Sequence, residues 1–419
     1  MSGASGPEVP RHAPWVEPCP PLAADQLPRC AVVVLNWNGR HHLAGCLDSL
    51  AALDYPAGAY RVVLVDNGSS DGSVEAVRRS HPAVRVLEND RNRGFSAGSN
   101  QGALEAEEAD VLVFLNNDMR VEPGFLRALV APVARGLCAA STARMLSWDG
   151  KRMNSAGGGM NFHGIGIQRG YEEPLGPEFE RPCLTLFACG GAMAMDARTF
   201  RDVGGFDEEF FAYYEDVDLG WRTWVLGHSV RYEPGAVCYH HHSSTSQRVP
   251  IERLRVLQVR NPLLACFKNY DEANLRRILP AMLALAARRA FVAGGLHGMP
   301  GFRIEDLPRP ARAGWLGRLG RALARRGSRG RSNGGSVALA DLVAINDLVG
   351  QWDHWMERRS AVQARRRRSD EEIFRLFLHP LWCIEDDYGY RELQAGLVRF
   401  LGIDEMFAGL TRMDKDPLR

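Results

Sequence analysis

An open, doubly wound α/β sheet, extended on its C-terminal side by helices, is the fold class predicted by three observations. Short apolar, β-branched runs recur through the first third of the 419-residue chain, and such runs belong to strands buried on both faces of a parallel sheet. Segments with helical spacing of apolar residues separate them, so the rhythm is strand, helix, strand, helix. Each run ends in polar residues, and ligands of doubly wound sheets gather at the carboxyl ends of the strands.

Ala31-Val32-Val33-Val34-Leu35 is the first strand. A helix follows in which Leu43, Cys46, Leu47, Leu50 and Leu53 share a face until Pro56 stops it. Arg61-Val62-Val63-Leu64-Val65 is the second strand, closed by the turn-forming cluster Asp66 to Ser73. Val84 to Leu87 and Val111 to Leu115 are the third and fourth, with helices across Ala97 to Ala106 and after Pro123, a first-turn proline. The strand ends carry Asn36-Trp37-Asn38, Asp66, the segment Asn89 to Asn100, and Asn116-Asn117-Asp118. The first turn lacks GxGxxG, which argues against a dehydrogenase. From Cys138 to Met195 short strands and glycine-rich loops, Gly190-Gly191 among them, predict an irregular binding wall. A helix carrying Asp218 comes next, then strands near Val230 to Tyr232 and Ala236 to Tyr239, then His240-His241-His242, with helices beyond Pro250.

Composition bounds the partners. A net charge of +1 makes no case for nucleic acid, although residues 309 to 331 hold eight arginines and no acid. Nine cysteines without CxxC suit the reduced thiols of a cytosol. The longest candidate span, Ile278 to Ala287, is cut off by Arg288-Arg289, so any membrane contact is peripheral. The proline-rich residues 1–29 are expected to be a disordered tail. The domain proper is expected over 30–270, a helical extension over 271–308, an Arg/Gly-rich linker over 309–335 and a last helical region, containing Arg365 to Arg368, over 336–419. No internal repeat of domain size is visible.

The segment Phe210 to Arg222 places Glu215, Asp216 and Asp218 among aromatic residues, and burying unpaired carboxylates is costly. Asp218 and Arg222, four apart on one helix face, can pair. Glu215 and Asp216 fall where the positive end of the helix dipole favours acids. A structural helix start therefore accounts for the acids as well as a catalytic role does.

Taken together, Val33 to Gly39, Val65 to Ser73, Asn92-Arg93-Gly94-Phe95-Ser96-Ala97-Gly98-Ser99-Asn100, Leu115 to Asp118, Gly204-Gly205-Phe206-Asp207-Glu208 and Tyr214 to Asp218 resemble, in this order, the inverting glycosyltransferases of family 2, and most closely their rhamnosyltransferase-like branch. The resemblance covers about Ala31 to Tyr270. It implies the GT-A fold, a doubly wound, Rossmann-like mixed sheet, and transfer of a sugar, with rhamnose from a dTDP donor as the expectation, to a hydroxyl of a glycan or lipid-linked acceptor. By the same resemblance Asn36, Asp66, Arg93, Gly98, Asn100, Asn116 and Asn117 bind the nucleotide sugar, of dTDP or UDP type. Asp66 is expected to accept hydrogen bonds from the base. Asp118 and His240 hold a divalent cation, Mg²⁺ or Mn²⁺, on the diphosphate. The family's DxD appears here as Asn116-Asn117-Asp118, with one acid in place of two.

Asp216 is then the catalytic base, Glu215 with Gly190 and Gly191 meets the acceptor, and Asp218 with Arg222 holds the helix. Trp221 and Trp224, at helical spacing, are expected in the core. The arginine-rich segment is a solvated linker or a surface for anionic lipid, and the resemblance suggests a cytoplasmic protein, peripheral on the inner face of the membrane. A silent nucleotide-sugar binding module is the alternative of another class. A nucleotidyltransferase would carry a Gly- and Arg-rich phosphate loop after the first strand, which is missing. A zinc hydrolase built on His240 to His242 is disfavoured because successive strand residues point to opposite faces.

Overall fold

The computed structural model describes residues 15–241, 251–294 and 333–409. The first half alternates as expected: β1 (Cys30–Asn36), α1 (Arg40–Ala51), β2 (Tyr60–Asp66), α2 (Ser73–Ser80), β3 (Arg85–Glu88), α3 (Gly94–Glu105), β4 (Val111–Asn116), β5 (Met119–Val121) and α4 (Phe125–Ala134). There follow β6 (Ala140–Ser147), β7 (Met153–Ser155), β8 (Gly158–Met160), β9 (Gly166–Gln168), β10 (Cys183–Leu184), β11 (Ala192–Asp196), α5 (Ala197–Asp202), α6 (Glu215–Val225), β12 (Val230–His240), α7 (Ile251–Asn269) and α8 (Glu272–Ala293).

The main sheet has the order β10-β12-β6-β11-β4-β1-β2-β3. Strands β3, β2, β1 and β4 are parallel, and their register brings Asn36 beside Asp66, Leu35 beside Asn116 and Asp66 beside Glu88. The polar strand ends therefore form one edge, although each was read off a separate stretch of sequence. Beyond β4 the sheet becomes mixed. β11 runs antiparallel to both β4 and β6, and β12 runs parallel to β6 with a register shift between Glu233 and Val237. Short β5, at the end of the Asn116–Asp118 turn, pairs with the end of β12 and sets His240 beside Met119. This is the doubly wound mixed sheet of the GT-A expectation.

Alternation along the buried strands divides the core into two layers. Val33, Val63, Val65 and Phe114 face α3 and α6, and Val32, Val34, Leu64 and Leu115 face Leu47 of α1 and Leu129 of α4. Each such side chain fully buried contributes about 1.5–3 kcal/mol. The expected start of α3 at Ala97 is three residues late. The Asn92 side chain accepts the Gly94 N–H at 2.8 Å and starts the helix there.

Two expectations change. The proline-rich stretch before β1 is not a loose tail throughout: from Trp15 onward it lies along the sheet, with Val16 donating to the Pro182 carbonyl, Arg231 donating to the Glu17 carbonyl and Leu22 buried. Residues 1–14 lie outside the described residues. The helical extension is also not set apart from the domain. Trp221 and Leu264 share one buried core with Trp355, Phe374 and Tyr390 of the C-terminal helices, and Arg359 donates to the Phe267 and Tyr270 carbonyls at the end of α7. The run Arg365 to Arg368 is likewise taken up internally: Arg365 donates to the Asp202 carbonyl, Arg366 pairs with Asp370, and Arg368 lies 4.8 Å from the Trp224 ring. The arginine-rich segment 309–331 lies outside the described residues. No helix among the described residues is long and apolar enough to cross a membrane.

Candidate active site

At the carboxyl edge of the parallel strands a cavity of ≈ 410 Å³ is walled by Trp37, Asn67, Asn116, Asn117, Asp118 and His240 from the strand ends, by Phe95, Gly190 and Gly191, and by Tyr214, Glu215 and Asp216 from the start of α6. The site thus brings together Asn116, Asn117, Asp118, Gly190, Gly191, Glu215, Asp216 and His240 out of the residues singled out in the sequence.

The remaining five lie behind or beside the cavity. Asn36 and Asp66 are buried and bonded to one another, with Asn36 Nδ2 donating to Asp66 Oδ1 at 2.7 Å and the Ser69 N–H donating to Asp66 Oδ2 at 2.8 Å. The Asp66 carboxylate thus closes its own turn. Asn36 Oδ1 accepts from Asn117 Nδ2 at 2.7 Å, so the pair orients the Asn116–Asp118 turn from below. Gly39 is required at this junction, since a Cβ there would stand 2.1 Å from Asn117 Nδ2. A Cβ on Gly98 would meet Leu35 at 2.4 Å, so its glycine serves helix–strand packing. Asn100 ties α3 to the Gly204–Glu208 loop by donating to the Phe206 carbonyl and accepting the Phe206 N–H. Arg93 is exposed at the start of α3.

On the strand side, Asp118 Oδ1 stands 3.3 Å from His240 Nε2, and His240 Nδ1 is 2.9 Å from Asn154 Oδ1. In the tautomer with Nδ1–H toward the Asn154 carbonyl oxygen, Nε2 is the nitrogen that faces the Asp118 carboxylate and the one that would meet a cation. The donor set, one carboxylate and one imidazole, fits a divalent ion that would complete its ligands elsewhere. Among the described residues no group of three His, Cys, Asp or Glu side chains converges as a metal site. His241 is turned away and stacks with His42 and Trp148, and His242 lies outside the described residues.

On the helix side, the chain approaches α6 through a strained path. Phe211, Tyr213 and Tyr214 have φ of 60, 68 and 66°, a region costly for bulky residues. Asn261 of α7 holds this path by donating to the carbonyls of Phe210, Ala212 and Tyr213 at 2.9, 3.0 and 2.8 Å. Gly94, at φ +85°, is the residue that lets Phe211 approach, for a Cβ there would sit 2.4 Å from the Phe211 carbonyl oxygen. The result is an α6 N-terminus aimed at the cavity.

Asp216 is anchored at both oxygens: the Gly190 N–H donates to Oδ2 at 3.0 Å and the Val217 N–H to Oδ1 at 2.8 Å. Gly190, expected at the acceptor, therefore reaches the site as a backbone donor to Asp216. Burial raises the Asp216 carboxyl above its ordinary range against these two donors. Glu215 is 6% exposed and its Oε2 has no partner among the described residues. Burial first, and then the charge of Asp216, push its carboxyl well above the ordinary range. Burial thus disfavours the charged form of both neighbours, and at Asp216 the two N–H donors work against it.

Asp218, two residues on, has a different setting. It is 0% exposed, pairs with Arg222 at 2.7 Å and Lys268 at 3.0 Å, and accepts from Asn269 at 3.0 Å. Lys268 also pairs with Asp207, which in turn meets Arg358 at 2.7 Å. Trp221 and Trp224 are buried, as helical spacing predicted. Sequence reasoning missed Trp37 and Asn67 as cavity walls and Asn154 and Asn261 as supports. Trp37 and Asn67 sit inside the quoted motifs and were within reach, whereas Asn154 and Asn261 are joined to the site only by long-range contacts.

The family model described as Glycosyl transferase family 2 matches residues 31–202. The chain is 30% identical over 250 residues to the N-acetylglucosaminyl-diphospho-decaprenol L-rhamnosyltransferase of Mycobacterium tuberculosis, a match covering 53% of this chain and 79% of that protein. It is 31% identical over 188 residues to the pre-mycofactocin glycosyltransferase of the same organism, covering 43% of this chain and 37% of that protein. Among solved structures, a mannosyltransferase from Pyrobaculum calidifontis in complex with GDP-Man and Mn²⁺ is similar at a TM-score of 0.45 and 18% identity, covering 84% of this chain and 89% of that one. With a relative matched over most of its length and a family model matching residues 31–202, the chain belongs to glycosyltransferase family 2.

Proposed function

We propose that the protein is an inverting glycosyltransferase that moves a sugar from a nucleoside diphosphate of dTDP or UDP type to a hydroxyl of a glycan or lipid-linked acceptor in cell-surface polysaccharide synthesis. The observation that carries the proposal is a carboxylate anchored by two backbone N–H groups, Asp216, in the wall of the same cavity as the Asp118–His240 pair. Asp216 accepts the proton of the acceptor hydroxyl as that oxygen attacks the anomeric carbon. The bond from that carbon to the nucleoside diphosphate breaks on the opposite face, and its electron pair leaves with the phosphate oxygen. Base catalysis of this kind contributes about 10²- to 10⁴-fold in rate. Glu215, protonated, donates a hydrogen bond to the acceptor and leaves the negative charge on Asp216.

On the donor side, Asn116 and Asn117 offer amide groups to the sugar diphosphate, Trp37 a ring face to the base, and Arg93 a charge at the rim. Asn36, Asp66, Gly98 and Asn100 act by holding these walls in place. Asp118 and His240 would hold Mg²⁺ or Mn²⁺, which when bound supplies positive charge against the departing diphosphate. Rhamnose is the sugar we favour, supported by the printed activity of the Mycobacterium tuberculosis relative. The protein works in the cytoplasm, peripheral on the inner face of the membrane.

A thermal-shift series with dTDP, UDP and GDP, each with and without Mn²⁺, tests the donor side, since a ligand that binds only the native state raises its stability. A shift with dTDP or UDP that grows with Mn²⁺ is expected, and no shift with any nucleotide would overturn the proposal. The anomeric configuration of the product, read by NMR, is expected to be opposite to that of the donor.

A further inference from the structure

The strained path into α6 is held from two sides. On the sheet side the Ser96 N–H of α3 donates to the Phe211 carbonyl at 3.2 Å. On the other side stands α7 with its Asn261, and against α7 pack two helices of the C-terminal region, Asn333–Gly350 and Trp352–Gln363. Among the described residues neither helix lines the active cavity.

Three contacts nevertheless run from these helices toward the path and its support. Arg358 pairs with Asp207 at 2.7 Å, His354 Nε2 stands 2.7 Å from Glu209 Oε1, and Asp347 pairs with Arg260 at 2.8 Å. The third reaches furthest. Arg260 precedes Asn261 on α7, its side chain is 14% exposed, and its guanidinium lies 5.5 Å from the Trp355 ring. Its Nη1 donates to the Glu209 carbonyl at 2.9 Å and to Asn261 Oδ1 at 3.1 Å, while its Nε donates to Asp347.

The contact between Arg260 and Asn261 decides which end of the amide faces the path. A carboxamide has nearly the same shape when its oxygen and nitrogen change places, but one end only accepts and the other only donates. With Oδ1 held by a cationic donor, Nδ2 is the end that meets the carbonyls of Phe210, Ala212 and Tyr213. Turned over, the amide would set its oxygen against three carbonyl oxygens and its nitrogen against a guanidinium, and buried polar groups left unpaired are costly.

We propose that Arg260 and Asp347 are positioning residues for sugar transfer: Asp347 holds Arg260, Arg260 orients the Asn261 amide, and Asn261 fixes the path that aims Asp216. This deepens the transferase proposal and rests on it. The C-terminal helices then set the catalytic base without touching substrate, and misplacing a reacting group by about 1 Å can cost about 10²-fold in rate.

Two measurements on the full-length protein test the inference. Turnover is read as nucleoside diphosphate released from dTDP-rhamnose or UDP-glucose with an extract of lipid-linked glycans as acceptor, and affinity for dTDP or UDP with Mn²⁺ is read by titration calorimetry. Arg260→Gln is expected to lower kcat by about ten-fold or more while nucleotide affinity stays within about two-fold of wild type. Asp347→Asn should lower kcat by a smaller factor, and the double variant should fall no further than Arg260→Gln alone, because the two residues act in series. Arg260→Lys, which keeps a charge beside Asp347, should recover part of the loss. Wild-type kcat in Arg260→Gln, single losses that multiply in the double variant, or an equal loss of kcat and nucleotide affinity overturns the inference and leaves the transferase proposal standing. If urea unfolding shows that Arg260→Gln does not fold, Asp347→Asn decides alone, and an unchanged kcat overturns the inference. No turnover by the wild-type protein with either donor overturns both.

Discussion

Asp216 and Asp218 lie two residues apart on α6 and meet opposite surroundings. Asp218 is enclosed by Arg222, Lys268 and Asn269, whereas among the described residues Asp216 accepts its hydrogen bonds from the Gly190 and Val217 backbone and opens on the cavity. One turn of helix therefore carries a scaffold face and a chemical face. Acids paired by side-chain cations hold a fold together. An acid held by neutral donors keeps its basicity for another molecule.

Removing the scaffold face should produce the largest loss of stability. Asp218→Ala leaves Arg222 without its carboxylate in a buried setting, and breaking such a pair costs about 3–5 kcal/mol. Urea unfolding is expected to show that loss, and a variant within about 0.5 kcal/mol of wild type would mean that the network is not the scaffold described. Asn261→Ala comes next. It leaves three carbonyls of the strained path without their donor, at about 1–3 kcal/mol, and should lower the turnover number more than nucleotide affinity because α6 is re-aimed.

The network around Lys268 and the cavity-side Glu215 also carry opposite pH signs. Burial works against the Asp207 carboxylate, but Lys268 and Arg358 hold its pKa well below the ordinary value of 3.8. Its contribution is therefore fully present above that value and is lost as pH falls below it. Glu215 is raised well above 4.5 by burial and by Asp216, so its protonated form favours the fold at low pH and that contribution is lost as pH rises from 4.5 through the raised pKa. Glu215→Gln cannot titrate. Its stability relative to wild type should thus increase between pH 4.5 and pH 8, read from urea midpoints at both. Parallel profiles would show that Glu215 is not buried as a carboxylic acid.

The comparison also marks what was legible in the sequence. β1, β2 and β4 declared themselves because a strand buried on both faces admits only apolar residues, and their polar ends follow from where such strands stop. The Asp218–Arg222 pair was legible because helical spacing is local. Asp66, expected at the base, also accepts from Asn36 and from the Ser69 N–H, and no spacing rule reports how a carboxylate is shared between them. The tie from Asn100 to the Phe206 backbone was hidden for the same reason, since the two are 106 residues apart. The union of the helical extension with the core was hidden because Trp355 and Tyr390 look like the residues of any amphipathic helix until their partners are known.

The most direct measurement is a paired one on Asp216→Asn: sugar transfer, and nucleotide affinity with Mn²⁺. The variant keeps the size of the side chain and one of its two N–H contacts and loses the base, so transfer should fall by about 10²- to 10⁴-fold while nucleotide affinity stays within a factor of about two of wild type. Transfer at the wild-type rate would contradict the assignment of Asp216 as the base, and with it the division of α6 into a scaffold face and a chemical face.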